Sequence, residues 1–76
     1  MLDPRLIEAI SEVFSLSQDA VSSQSGRDTI PGWDSIGHLK LVLRLEEVFC
    51  LRFPAAQIPS LLSAGEIQEA LNRIKP

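Results

Sequence analysis

The chain has one cysteine, one histidine and no tyrosine. A single thiol, Cys50, can form no internal disulfide, and one thiol with one imidazole cannot supply a zinc ligand set. This usage fits a reducing compartment, the cytoplasm. No apolar run approaches the roughly 18 residues that suggest a membrane span. Met1-Leu2-Asp3-Pro4-Arg5 lacks the basic and apolar segments of a secretory signal, so neither span nor signal peptide is expected. Basic runs are absent as well, and the net charge is −3. Binding a nucleic-acid backbone takes clustered Lys and Arg, so nucleic acid is not an expected partner. Gly26, Gly32, Gly37 and Gly65 are scattered and make no phosphate-cradling loop.

What remains is a chain of 76 residues, 45% of them hydrophobic, enough for one small core. A single domain over residues 1–76 is expected. Asp3-Pro4 is an N-cap followed by proline at the first helical position, and it opens a helix from Pro4 to about Ser15. Leu6, Ile7, Ile10, Val13 and Phe14 recur at helical spacing, with Glu8, Ser11 and Glu12 on the other side. A long loop follows, from Leu16 to Gly32, in which Val21 and Ile30 are isolated apolar pins. It serves either as a spacer or as a partner contact. Ala55–Ile58 forms one short helical turn stopped by Pro59, with Phe53 and Ile58 as core plugs. Ser63-Ala64-Gly65-Glu66 is a capping box that starts a last helix, buried through Ile67, Ala70, Leu71 and Ile74. Lys75 suits its final turn, and Pro76 ends it. The expected fold is all-α: a small four-helix bundle of three main helices and one short helix, with a long loop between helices 1 and 2.

The stretch from Trp33 to Phe49 organises the rest. Pro31-Gly32 is a turn pair, Asp34 and Ser35 are both N-cap residues, and the helix runs to Phe49–Leu51, ended by Phe53-Pro54. With about 100° per residue and Ile36 at zero, Leu41, Val42, Leu45, Val48 and Phe49 fall near 180°. Ile36, Leu39 and Leu43 fall on the opposite side, away from any core. Two apolar stripes on one helix, one of them beside a serine at the helix tip, suggest a docking surface. Ser35 is either a capping residue alone or an attachment point, where a phosphate ester would gain roughly 0.3–1 kcal/mol from the helix N-terminus.

Other chemistry is thin. His38 lies three residues after Ser35, so a Ser–His pair in a small hydrolase is conceivable. The imidazole, however, points about 160° from Ile36, toward the core side, and no oxyanion hole is evident. His38 therefore reads as a partly buried packing residue. Cys50 reads as a small apolar helix residue rather than a nucleophile.

At these residues the sequence resembles the acyl carrier proteins. Asp34-Ser35-Ile36 stands where that family has an Asp-Ser-Leu-like tripeptide. Leu39, Leu41-Val42-Leu43 and Leu45-Glu46-Glu47-Val48-Phe49 follow at the family's spacing. The resemblance covers the whole chain. It implies a 4′-phosphopantetheine arm on Ser35, beside Asp34, transferred from coenzyme A by a phosphopantetheinyl transferase. The arm would carry acyl or aminoacyl groups as thioesters. The protein would then be no enzyme but a monomer that presents cargo to an acyl- or aminoacyl-loading ligase or transferase and to a ketosynthase or other condensing enzyme. Ile36, Leu39 and Leu43 match docking positions, and Glu46 and Glu47 match acidic contacts to basic partners. Lys40 and Arg44 stand where fatty-acid carriers are often acidic. Together with Trp33 and Gly37-His38 they point to a discrete carrier of a specialised pathway, polyketide, nonribosomal or fatty-acid-like. The Asp-Ser-x-Gly run is also similar to D-alanyl carriers. An unmodified helical interaction domain is the alternative from another class.

Overall fold

The computed structural model describes residues 2–74. Helix α1 spans Pro4–Phe14. The Asp3 carboxylate accepts the Arg5 N–H at 2.9 Å, and the Asp3 N–H donates to Gln68 Oε1, so the start of α1 is tied to the last helix. Leu6, Ala9 and Ile10 are buried. Ser11, expected on the solvent side, is buried too. Its hydroxyl donates to the Glu8 carbonyl at 2.8 Å, which satisfies the only polar group that burial would strand. The helix closes on Ser15, left-handed at φ 56°, whose N–H returns to the Ser11 carbonyl.

Helix α2 spans Ser35–Phe49 and α3 spans Ala64–Ile74. Two 3-10 segments, Gln18–Ala20 and Ala55–Ser60, lie before α2 and between α2 and α3. Leu41, Val42 and Leu45 of α2 meet Leu6 and Ile10 of α1 and Ile67 and Leu71 of α3 in the core. Val48 and Phe49, expected in the same stripe, are only partly buried. They sit at the edge, where the Arg5 guanidinium lies 4.3 Å over the Phe49 ring. Ile74 is likewise partly buried, and Phe53 is the buried plug expected of it. The short segment runs through Pro59 to Ser60 instead of stopping before it. Its flanking bonds, Gln57 N–H to Pro54 O and Leu61 N–H to Ile58 O, do not need the amide that proline lacks.

The long loop is packed against the bundle. Ile30 and Trp33 are buried and Val21 half-buried. Gly26 pairs with Ser63 in an isolated antiparallel bridge. Carbonyls of Ser25 and Ser23 accept the Ala64 and Gly65 N–H groups at 2.8 and 2.9 Å, which caps the first turn of α3 from outside. A side chain at Gly26 would strike the Leu62 carbonyl, so this crossing requires glycine. The capping box is half as expected: Ser63 Oγ accepts the Glu66 N–H, while the Glu66 carboxylate accepts from the Ser63 hydroxyl. Lys75 and Pro76 lie outside the described residues. The architecture is the all-α bundle of three main helices and one short helix, with no strand among the described residues. No described helix is long and apolar enough to cross a membrane.

Candidate functional site at the start of α2

Gly32 turns the chain at φ +89°, a conformation that favours glycine. Trp33 then drops into the core, and Asp34 is the N-cap, its Oδ1 accepting the Gly37 N–H at 2.8 Å. Ser35 is therefore the first helical residue and not the cap, and it is exposed. The N–H groups of Ser35 and Ile36 have no intrahelical acceptor, as in any first turn, and they make this tip electropositive.

Beneath the serine lies a buried relay that the sequence did not disclose. The Trp33 indole N–H donates to His38 Nδ1 at 3.0 Å, and His38 Nε2 lies 2.8 Å from the Ile58 carbonyl. An indole N–H can only donate, so Nδ1 accepts and Nε2 carries the proton to Ile58. The Trp33 ring stacks on Phe14 at 5.0 Å and on His38 at 6.2 Å. His38 is thus not merely a partly buried packing residue. At 4% exposure it is a hydrogen-bonded core histidine joining the loop, α2 and the 55–60 segment. Both of its ring nitrogens are engaged inward, so it is not placed to activate the Ser35 hydroxyl. The only hint in the sequence was a tryptophan five residues before a histidine, on either side of the N-cap of α2.

Gly37 is buried against the same corner. An added Cβ would meet the Gly32 carbonyl and, at 2.9 Å, the Phe14 ring. The glycine therefore serves close packing of the helix tip on the turn.

The outward stripe is real. Ile36, Leu39 and Leu43 are 68%, 54% and 58% exposed, and Leu62 is a further exposed apolar residue. The charged residues around the stripe divide. Arg44 pairs with Glu12 of α1 at 3.2 Å and with Glu47 at 2.7 Å. The hydrogen bond that it donates to Glu47 and the charge of Glu12 raise its pKa above the ordinary guanidinium value. Glu46 Oε2 accepts the Phe53 N–H at 2.9 Å and holds the chain after α2. Lys40 is exposed, and none of the ion pairs among the described residues includes it. Of the charged residues expected to meet partners, three have work inside the chain. Glu46→Ala should accordingly cost stability, about 1 kcal/mol for a partly exposed charge-assisted bond. Urea unfolding followed by circular dichroism measures it, and an unchanged midpoint would contradict the role.

Cys50 is not a helix residue. It is the C-cap of α2, exposed and left-handed at φ 53°. No cluster of metal-binding side chains occurs among the described residues. A comparison with protein-family models and with curated proteins gives no match.

Proposed function

We propose that this protein is an acyl carrier, modified on Ser35 by 4′-phosphopantetheine and acting in the cytoplasm. The observation that carries the reading is an exposed serine at the first position of α2, next to an exposed apolar stripe on the same helix. Ser35 offers an unobstructed hydroxyl for a phosphodiester. Asp34 caps the turn and fixes its direction. The helix tip favours the phosphate's negative charge, by roughly 0.3–1 kcal/mol. The arm, when bound, supplies the thiol that carries an acyl or aminoacyl group as a thioester. The protein itself presents cargo rather than transforming it.

Ile36, Leu39 and Leu43 would be the surface on which the transferase, a loading ligase or transferase and a condensing enzyme alternate. Lys40 and Arg44 place two cations on this helix beside Glu46 and Glu47, a more balanced charge than the acidic helix of fatty-acid carriers, which favours a specialised pathway over a fatty-acid synthase partner set. A D-alanyl-type aminoacyl carrier fits the same surface.

Co-expression with a promiscuous phosphopantetheinyl transferase, followed by intact-mass measurement, tests the proposal. A gain of one phosphopantetheine is expected in the parent and none in Ser35→Ala. No gain, or a gain that persists in the variant, rejects the carrier reading. It would leave the unmodified interaction domain, for which the exposed stripe alone suffices.

A further inference from the structure

His38 is the one buried titratable side chain among the described residues, and the proposed function makes no use of it. Nδ1 accepts the Trp33 indole N–H at 3.0 Å, and Nε2 donates to the Ile58 carbonyl at 2.8 Å. Both partners are fixed in kind, because an indole N–H only donates and a carbonyl only accepts. The pocket therefore suits the neutral ring alone. A second proton, on Nδ1, would face the indole N–H donor against donor and leave a charge in the core. No charged side chain is placed to offset it. The 30–33 turn and the 55–60 segment contain none. Glu8 and Glu12 of α1, Asp28 of the loop, and Glu66 and Glu69 of α3 are all exposed. On α2 itself, Asp34 is exposed and caps the Gly37 N–H, and Glu46 holds the Phe53 N–H. Lys40 and the electropositive tip of α2 oppose a further positive charge.

We propose that His38 is a proton-operated latch, which closes the 55–60 segment on α2 while its ring is neutral and releases the segment when Nδ1 takes a proton from solvent. The two sides of the ring are held unequally. Trp33 is 3% exposed and stacked on Phe14, so it is firmly seated. The six residues of Ala55–Ser60 include none that is buried. The bond to His38 is the segment's one hydrogen bond to another element among the described residues. Closure also leaves Gln57 Oε1 buried without a hydrogen-bond partner, and opening hydrates it. The charged ring therefore reaches water by lifting the segment, not by expelling Trp33.

The closed form binds one proton fewer than the open form, so closure weakens as pH falls. An imidazole in water takes up its proton near about pH 6.5, and the ratio of open to closed grows below that by up to about tenfold per pH unit. Carboxylates ordinarily protonate near about pH 4, below this window. The latch lies in the fold itself and stands or falls independently of the carrier reading.

The test is an NMR titration of the full 15N-labelled chain from about pH 7 to about pH 5, the range over which imidazole titrates. The chain has a single histidine, so its ring nitrogens are assigned directly. At the neutral end the ring is expected as the Nε2–H tautomer. Towards the acid end the imidazolium signals should appear together with a loss of hydrogen-exchange protection at the Gln57 and Leu61 amides. That loss should be about five- to tenfold per pH unit, while the Ile10 and Leu71 amides keep their protection. His38→Asn retains an acceptor for the indole N–H and takes up no proton, so it should abolish the dependence. An Nδ1–H tautomer at the neutral end, or a ring still neutral at the acid end, overturns the inference. So does a ring that protonates while the Gln57 and Leu61 amides stay protected, or an unchanged response in His38→Asn. Equal loss of protection at Ile10 and Leu71 also overturns it, since that is general acid unfolding. The ring signals are read on the parent chain, so the outcome stands even if the variant does not fold.

Discussion

Replacing Trp33 with alanine is expected to destabilise the fold by about 3–5 kcal/mol, the range for removing a buried large aromatic. A domain of this length is expected to hold roughly 4–11 kcal/mol in all, so a substantial fraction of the variant would be unfolded at 37 °C. Two losses combine. The Phe14–Trp33–His38 stack disappears and leaves a cavity between α1 and the start of α2. The Nδ1 acceptor of His38 loses its donor inside the core. Trp33→Phe separates the two in large part, since it retains a stacking ring and removes the indole N–H with a much smaller loss of volume than alanine. It should cost about 1–2 kcal/mol, the penalty for stranding a buried acceptor. Urea unfolding followed by far-UV circular dichroism reads both variants, because the chain has no other tryptophan to report by fluorescence. An alanine variant within about 1 kcal/mol of the parent would show that the stack contributes no more than an ordinary surface contact. The consequence for the site is direct. His38 is one turn from Ser35, and its relay fixes the 55–60 segment against the helix tip. On the carrier reading, a loosened relay should therefore slow the proposed modification of Ser35 even in the folded fraction.

Gly37→Ala sets two effects of opposite sign against each other. Helix propensity alone predicts a gain of about 0.8–1.0 kcal/mol. Sterics predict a loss, because the new methyl group would collide with the Gly32 carbonyl and the Phe14 ring. The obstructing atom is backbone oxygen in a turn held at φ +89°, which cannot swing aside as a flexible side chain would. Overpacking of this kind typically costs about 1–3 kcal/mol, so net destabilisation is expected, larger for valine than for alanine. The damage should also reach function. Moving the tip of α2 off the turn disturbs the Asp34–Gly37 cap and the direction in which Ser35 faces. A lower unfolding midpoint would match this account, together with, on the carrier reading, slower transfer of phosphopantetheine to Ser35. A Gly37→Ala variant more stable than the parent would show that propensity outweighs the contact, and that the glycine is not required by packing.

Both residues show where the sequence stops being informative. Local rules suffice for the helices, because capping and periodicity are properties of neighbours in the chain. Asp3-Pro4, Ser63 with Glu66, and the apolar repeat of α2 placed the three main elements and the two-faced helix. The same repeat singled out Ile36, Leu39 and Leu43, which the fold leaves exposed. Ser35 was legible for the same reason, although Asp34 and not the serine turned out to be the cap.

The rest depends on which partners the fold closes on each side chain, several of them distant in the chain, and helical spacing does not encode them. Arg44 and Glu46 looked like free charges on a surface helix. Arg44 meets Glu12 across 32 positions and Glu46 meets the Phe53 amide across seven, so folding assigned them internal partners. His38, suggestive in the sequence because it lies near a serine, became a core residue when Trp33 and Ile58 closed on its two nitrogens. By itself, then, the sequence determined the three main helices, which of their faces are apolar and which serine stands at a helix tip, since these follow from residue type and period. Only the tertiary structure decided which charges and which polar groups are still available to a partner, because availability depends on what else lies within hydrogen-bonding distance.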